Sequence, residues 1–390
     1  GRSHLMPDSR SATGGTDGST GNPYRVMVVD DSAVIRGLLT RSLEQDSSIK
    51  VVASVGNGEV ALKALDRHDI EVVILDIEMP VMDGLTALPK LLEKKPGLQV
   101  IMASTLTRKN AEVSLRALQA GAADYLPKPS STSELTSTDS FQRELTEKVK
   151  GLAAATRPSG RPAVAAARPA ASRAPVAARS GGLYGSRRVE LRKASSTLPR
   201  AIAIGSSTGG PQALLEVLKD MAPSIKLPIL ITQHMPATFT TLLAEHIGRV
   251  SGVPCAEAQD GEVVNAGQIY LAPGNYHMVV ERDGTDTIIR LNQNPPENFC
   301  RPAVDPMLRS LAKIYGPSLL TIILTGMGSD GQKGATEVVA AGGTVMAQDE
   351  ATSVVWGMPG AVATSGLCSA VLPIKEIGPS VRKLVMRSAA

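Results

Sequence analysis

Short apolar runs alternate with amphipathic stretches of about a dozen residues along most of the chain, in two separate series. In the first series, apolar runs at 25–29, 51–55, 72–75, 100–102 and 125–126 predict strands. Between and after them, apolar residues at three- and four-residue spacing predict helices near 33–45, 58–67, 84–94, 110–120 and 134–150. Five βα units in succession predict a parallel sheet covered by helices on both faces. The second series begins at Arg200. Its runs lie at 201–204, 229–232, 269–271, 278–280, 288–291, 319–324 and 344–346, with helical stretches near 211–219, 238–250, 304–315, 332–341 and 375–388. This predicts a second α/β domain with a mainly parallel sheet. The runs 276–282 and 286–292, joined through Asp283-Gly284, predict an inserted β-hairpin.

With 390 residues, the chain exceeds one ordinary core, and the two series predict domains at 24–150 and 199–390. Residues 1–23 have little to bury and predict a disordered tail, its first six residues reading as a cloning remnant. Residues 151–198 are rich in Pro, Ala and Arg, and Pro158, Pro162, Pro169 and Pro175 interrupt any helix there, so this stretch predicts a linker. The formal charge of +4 is unevenly spread. Residues 151–199 carry eight Arg and one Lys against one acid, Glu190, so the remainder of the chain is acidic. The positive charge belongs to the linker rather than to a folded face, which argues against a nucleic-acid partner. Cys255, Cys300 and Cys368 have neither disulfide-framework nor zinc spacing and read as free thiols in a reducing, cytoplasmic setting. No signal peptide and no membrane-spanning run is expected.

Four polar features fall at the ends of predicted strands: Asp30-Asp31, Asp76, Ser104 and Lys128. Strand ends of an open parallel sheet share one edge, and ligands bind there. Three carboxylates on that edge repel one another unless a cation sits among them, and an all-oxygen set suits Mg²⁺. Helix capping by Asp31-Ser32 is the competing explanation for part of this pattern. The segments VVDDS at 28–32, ILDIEMPVMDG at 74–84, MAST at 102–105 and YLPKP at 125–129 resemble the response-regulator receivers. The resemblance implies a flavodoxin-like, doubly wound, five-stranded domain. It also implies that Asp76 accepts a phosphoryl group from a histidine kinase. Asp31, Asp76 and the backbone carbonyl of Glu78, with Asp30 nearby, match the Mg²⁺ ligands. Ser104 and Tyr125 match the pair that responds to the phosphoryl group, while Lys128, by its own chemistry at the strand end, is expected to hold a phosphate oxygen as a point charge.

In the second domain, Gly205-Ser206-Ser207-Thr208-Gly209 joins a predicted strand to a helix start in a G-x-S-x-G pattern. Such a turn presents a serine hydroxyl at a sheet edge, with free N–H groups for an oxyanion. The same turn also suits a nucleotide phosphate. A serine nucleophile needs a base and an orienting acid. His234 ends the next strand, on the edge expected for Ser207. His277 stays undecided, and His246 reads as an interfacial helix residue. Asp330 follows the strand at 319–324, with helix capping as its competing role and Asp349 and Glu350 as rival acids. The order Ser, His, Asp departs from that of the α/β-hydrolases.

IAIGSSTGGPQAL at 202–214, ITQHMP at 231–236 and ILTGMGSDG at 323–331 resemble the chemotaxis protein-glutamate methylesterases, supported by RPAVDPM at 301–307 and WGMPGA at 356–361. The resemblance implies Ser207 as nucleophile, His234 as base and Asp330 as orienting acid, with the N–H groups of Thr208 and Met327 as the oxyanion hole. It implies ester hydrolysis at methylated glutamates of chemoreceptor cytoplasmic domains, deamidation of glutamine, and no cofactor in the catalytic domain. The regulatory hypothesis for this two-domain arrangement is that the unphosphorylated receiver covers the catalytic edge and that phosphorylation at Asp76 loosens that contact. A DNA-binding output and a non-catalytic nucleotide-binding output are the rivals from other classes. The first would require a basic recognition helix after the linker, and the second would use the Gly205–Gly210 loop only as a phosphate cradle.

Overall fold

The computed structural model describes residues 21–128, 139–158, 183–185 and 187–387. The expected N-terminal tail, through residue 20, and most of the expected linker lie outside these residues. The first unit is built from β1 (Tyr24–Val29), α1 (Ala33–Glu44), β2 (Ile49–Val55), α2 (Gly58–Arg67), β3 (Val72–Asp76), α3 (Gly84–Lys94), β4 (Gln99–Ser104), α4 (Arg108–Gln119), β5 (Asp124–Pro127) and α5 (Asp139–Thr156). Its five strands are parallel, in the order β2-β1-β3-β4-β5. Side chains of β1 alternate between two cores. Val26 and Val28 pack with Leu145 and Val149 of α5, while Met27 and Val29 pack with the opposite helix layer. This alternation follows from the two-residue period of a strand buried on both faces.

The second unit comprises β6 (Ala201–Ser206), α6 (Gly210–Met221), β7 (Ile229–Gln233), α7 (Phe239–Ser251), β8 (Cys255–Glu257), β9 (Ile269–Leu271), β10 (His277–Asp283), β11 (Asp286–Asn292), α8 (Val304–Tyr315), β12 (Leu319–Ile323), α9 (Gln332–Ala340), β13 (Thr344–Gln348), α10 (Met358–Thr364), β14 (Ala370–Leu372) and α11 (Ile374–Met386). Seven strands form a parallel sheet in the order β14-β13-β12-β6-β7-β9-β8. The expected hairpin is present as β10-β11, but as a separate two-stranded antiparallel sheet packed on α8. Two three-residue edge strands, β8 and β14, and the short helix α10 were not among the expected elements; β8 holds only Cys255, Ala256 and Glu257, while the apolar residues of β14 run on into Pro373 and Ile374 without a break that would mark a strand. Upstream of Arg200, the chain runs along this unit. Arg192 N–H bonds to Cys368 O at 2.9 Å, and Ser195 N–H bonds to the Thr344 hydroxyl at 2.9 Å.

The two units touch. Helix α4 packs on α7, and one apolar cluster runs from Leu115 and Leu118 to Leu242 and Leu243. Tyr125 stacks on Phe239 with ring centroids 4.5 Å apart. His246 on α7 meets the Gln119 side chain of α4 at 2.9 Å, an interfacial position as its helix spacing suggested.

Candidate active site

Three neighbouring strands, β12-β6-β7, end on one edge of the seven-stranded sheet. Ser207 follows β6, His234 follows β7, and Asp330 lies seven residues past the end of β12. The chain turns sharply after β6 because Gly209 takes φ +78° as the residue before α6, and Pro211 then starts that helix. Gly326 approaches Ser207 so closely that a Cβ there would lie 2.9 Å from both Cβ and N of the serine. The backbone behind the serine is held by Gln233. Its amide donates to Ser207 O at 2.9 Å and to His234 O at 3.2 Å, and its Oε1 accepts from the Ser206 hydroxyl at 2.5 Å.

His234 Nε2 lies 2.6 Å from Asp330 Oδ2. Asp330 is 1% exposed and also accepts from the N–H groups of Val304 at 2.7 Å and Asp305 at 3.0 Å. Its competing role as a helix cap is therefore real, but for α8 rather than for α9, whose cap is Gly331. Burial opposes charge on Asp330, yet His234 and these N–H donors hold its carboxyl below the usual value. Burial likewise opposes charge on the His234 ring. The Cys300 sulfur and Asp330 outweigh it and hold the imidazole well above its usual value. The rival acid Asp349 instead accepts from Thr352 in a turn. His277 is buried and holds backbone: its Nε2 lies 3.0 Å from Pro295 O, and its Nδ1 accepts from Ala303 N–H at 3.2 Å.

Ser207 and His234 line one cavity of about 450 Å³, together with Thr208, Met327 and Asp330. The Ser207 hydroxyl forms no hydrogen bond among the described residues. His234 Nδ1, the nitrogen left over by Asp330, instead has Cys300 Sγ at 3.5 Å. The N–H groups of Thr208 and Met327 also have no hydrogen-bond partner among the described residues. All three cysteines are free thiols. Cys300, Asn298, Gln233 and Asp305 carried no signal of their own in the sequence, although ITQHMP contains Gln233 and RPAVDPM contains Asp305.

The same cavity is walled on its far side by the first unit, through Asp124, Tyr125, Arg143, Glu144, Glu147 and Lys148. Thr208 Oγ donates to Asp124 Oδ2 at 2.7 Å, and Lys148 pairs with Asp124 at 3.4 Å. Arg143 lies over the ring of Phe299, 3.7 Å from its centroid.

At the edge of the five-stranded sheet, ligand oxygens of Asp30, Asp31 and Asp76 lie within 4.8 Å of one another. Lys128 Nζ bonds to Asp30 at 2.7 Å and to Asp76 at 2.8 Å. Burial, reinforced by Asp30 and Asp31, pushes the Asp76 carboxyl up to about 6 despite Lys128. Three crowded carboxylates offering only oxygen are a donor set that fits Mg²⁺. Ser32, not Asp31, caps α1 through Ile35 N–H, so capping does not account for the acids. Ser104 is buried, with its hydroxyl 3.4 Å from that of Ser114. The Glu78 side chain points to Lys109, 3.8 Å away.

Comparison with known proteins adds to this geometry. Residues 202–381 match the family described as CheB methylesterase, and residues 26–138 match the response regulator receiver domain. The chain is 62% identical to protein-glutamate methylesterase/protein-glutamine glutaminase 1 of Paramagnetospirillum magneticum, over 93% of this chain and 96% of that protein. It is 59% identical to the protein-glutamate methylesterase/protein-glutamine glutaminase of group 2 operon of Rhodospirillum centenum, over 99% of this chain and all of that protein. It is 58% identical to the protein of the same activity name from Azospirillum brasilense, over 96% of each chain. A receiver, a parallel-sheet domain with serine, histidine and aspartate on one edge, and relatives matched along nearly their whole length agree: the chain belongs to the protein-glutamate methylesterase/protein-glutamine glutaminase family.

Proposed function

We propose that the chain hydrolyses glutamate γ-methyl esters and deamidates glutamines on the cytoplasmic domains of chemoreceptors, under control of phosphorylation at Asp76. The observation that carries the catalytic part is the short His234–Asp330 contact in the cavity that also holds Ser207. Ser207 Oγ attacks the ester carbonyl carbon while His234 Nδ1 takes its proton. Asp330, on Nε2, fixes the tautomer and steadies the imidazolium. The unpartnered N–H groups of Thr208 and Met327 face the developing oxyanion. As the carbonyl re-forms, the C–O bond to methoxide breaks, and His234 returns the proton so that methanol leaves. Water then attacks the acyl-serine by the same relay, releasing the glutamate carboxylate and the free serine. With a glutamine side chain, ammonia leaves in place of methanol.

In the receiver, Asp30, Asp31 and Asp76, with the carbonyl of Glu78, would hold Mg²⁺, which when bound supplies charge neutralisation for phosphoryl transfer. Lys128, already on Asp30 and Asp76, is poised to take a phosphoryl oxygen. Ser104 stands within one strand of Asp76 to receive another oxygen, and Tyr125 to respond. A histidine kinase is the phosphodonor, and the cytoplasm is the place of action. Receiver residues wall one side of the cavity, and phosphorylation activates by shifting the population toward a form in which they no longer do so.

The test is methanol release from methylated receptor membranes, with and without phosphodonor and Mg²⁺. Ser207→Ala is expected to abolish release while Asp76 labelling persists. Undiminished release from that variant means another nucleophile. Asp76→Asn is expected to remove stimulation by the phosphodonor, and full stimulation in that variant removes Asp76 from control.

A further inference from the structure

We infer that Asn298 is a positioning residue for the proton relay, holding the Asp330 carboxylate against His234 by bridging it to a second buried acid, Asp305. The inference rests on the proposed role of Asp330.

The two acids cap each other's helices. Asp330 accepts from Val304 and Asp305 N–H at the start of α8. Asp305, in the first turn of α8, accepts through Oδ1 from Gly331 N–H at 3.0 Å and Gly334 N–H at 2.7 Å at the start of α9. Each carboxylate thus sits at a helix N-terminus, where negative charge is favoured. Both acids are 1% exposed. One amide group joins them: Asn298 Nδ2 donates to Asp305 Oδ2 at 2.8 Å and to Asp330 Oδ1 at 2.9 Å. Among the described residues, every partner of these four oxygens is an N–H group, an arrangement made for two ionised carboxylates side by side.

That arrangement is costly without its bridge. Burial and the Asp330 charge already push the Asp305 carboxyl up. Removing the shared donor leaves two buried like charges facing each other, and one of them then keeps its proton to higher pH. A proton shared onto Asp330 weakens its hold on the imidazolium. The neighbouring charges are His234 on Asp330, Glu297 paired with Arg309 at 2.8 Å, and Glu337 near Arg309; the Cys300 thiol faces His234 from the same loop as Asn298. Among the described residues, the sole donor shared by both acids is Asn298. Its backbone has φ +52°, a region that Asn tolerates better than most residues, which suits this residue type to the position.

The experiment uses the full chain with phosphodonor, Mg²⁺ and methylated receptor membranes. Asn298→Asp keeps the side-chain shape and the backbone tolerance but removes the donor. It is expected to lower kcat for methanol release about tenfold or more, leave KM within about twofold, and move the acid limb of kcat/KM downward by roughly one pH unit, because a weaker hold on the imidazolium lowers the pH at which His234 gains its proton. Asn298→Gly, which fits the positive φ, is expected to lower kcat in the same way and gives the reading if the aspartate variant fails to fold. Unchanged kcat and acid limb in a folded variant lacking the amide overturn the inference. Asp330→Asn is measured beside them. Full activity in that variant overturns the relay reading itself, whereas its loss together with a fully active Asn298→Asp overturns only the role of Asn298.

Discussion

The Thr208 hydroxyl donates a 2.7 Å hydrogen bond to the Asp124 carboxylate, tying the residue after Ser207 to the first residue of the receiver's last strand. Asp124 is buried, and Lys148 lies 3.4 Å from it. The receiver therefore does more than lie over the cavity. It holds, through a charged acceptor, the peptide whose N–H is proposed to meet the oxyanion. Breaking that tie loosens the closed form without touching the phosphorylation site.

Asp124→Ala is accordingly expected to raise methanol release by the unphosphorylated chain about tenfold, since a hydrogen bond to a charged group contributes about 1.5–3 kcal/mol. The phosphodonor-stimulated rate stays near that of the parent, so the stimulation ratio falls. The measurement is initial rate with and without phosphodonor. A basal rate equal to the parent's would mean that this bond does not hold the closed form.

The Tyr125–Phe239 stack makes a second contribution to closure. Tyr125→Leu retains apolar bulk but loses the ring pair, which is worth about 0.5–1.5 kcal/mol beyond area burial. Basal release is expected to rise about two- to tenfold, with Asp76 labelling by acetyl phosphate unchanged. Combined with Asp124→Ala, the effects are expected to fall short of the product of the two, because both contacts report one opening equilibrium. Independent, fully multiplicative effects would argue against a single closed-to-open step.

Both sheets and most helices were legible in the sequence, because parallel strands buried on both faces are written as short apolar runs between helix-spaced stretches. The strand-end rule by itself places Ser207, His234 and Asp330 on one edge. Edge strands such as Cys255–Glu257 escaped because three half-exposed residues carry no periodicity. Gln233, Asn298 and Asp305 escaped for another reason. Each acts by a hydrogen bond to a residue distant along the chain, and no local pattern encodes a partner. Nor did anything in the spacing reveal that Cys300 would occupy the side of the imidazole needed by Ser207. That placement depends on the turn at 297–300, whose two central residues, Asn298 and Phe299, both have positive φ.

Cys300 gives a pH-dependent prediction. Burial opposes protonation of His234, but the Cys300 sulfur and Asp330 together hold the ring proton above the usual imidazole range. A base that holds its proton is poor at neutral pH, so the acid limb of kcat/KM for the unphosphorylated chain is expected above about 6.5. Cys300→Ala removes one of the two raising influences. The acid limb then moves down and the rate at pH 7 rises about two- to fivefold. The same raised value stabilises the fold fully below the unfolded pKa of about 6.5, and that contribution fades as pH rises through the folded value. An acid limb unmoved by the substitution would mean that the sulfur does not influence the base.

A methyl group at position 210 tests the frame that carries nucleophile and base together. A Cβ on Gly210 would lie 2.0 Å from Gln233 Oε1 and 2.9 Å from Ser206 Cβ. The Gln233 amide cannot keep its place, and with it go the bonds to Ser206, Ser207 and His234. Gly210→Ala is therefore expected to cost about 1–3 kcal/mol of stability by overpacking, and to lower kcat by roughly a hundredfold. Adding Gln233→Ala to it makes room for the methyl. The double variant is expected to recover part of the lost thermal stability but little of the rate, because the clamp between the two strands stays absent. Thermal unfolding beside methanol release separates the two effects, and recovery of the rate together with stability would show that Gln233 fills space rather than aligning Ser207 with His234.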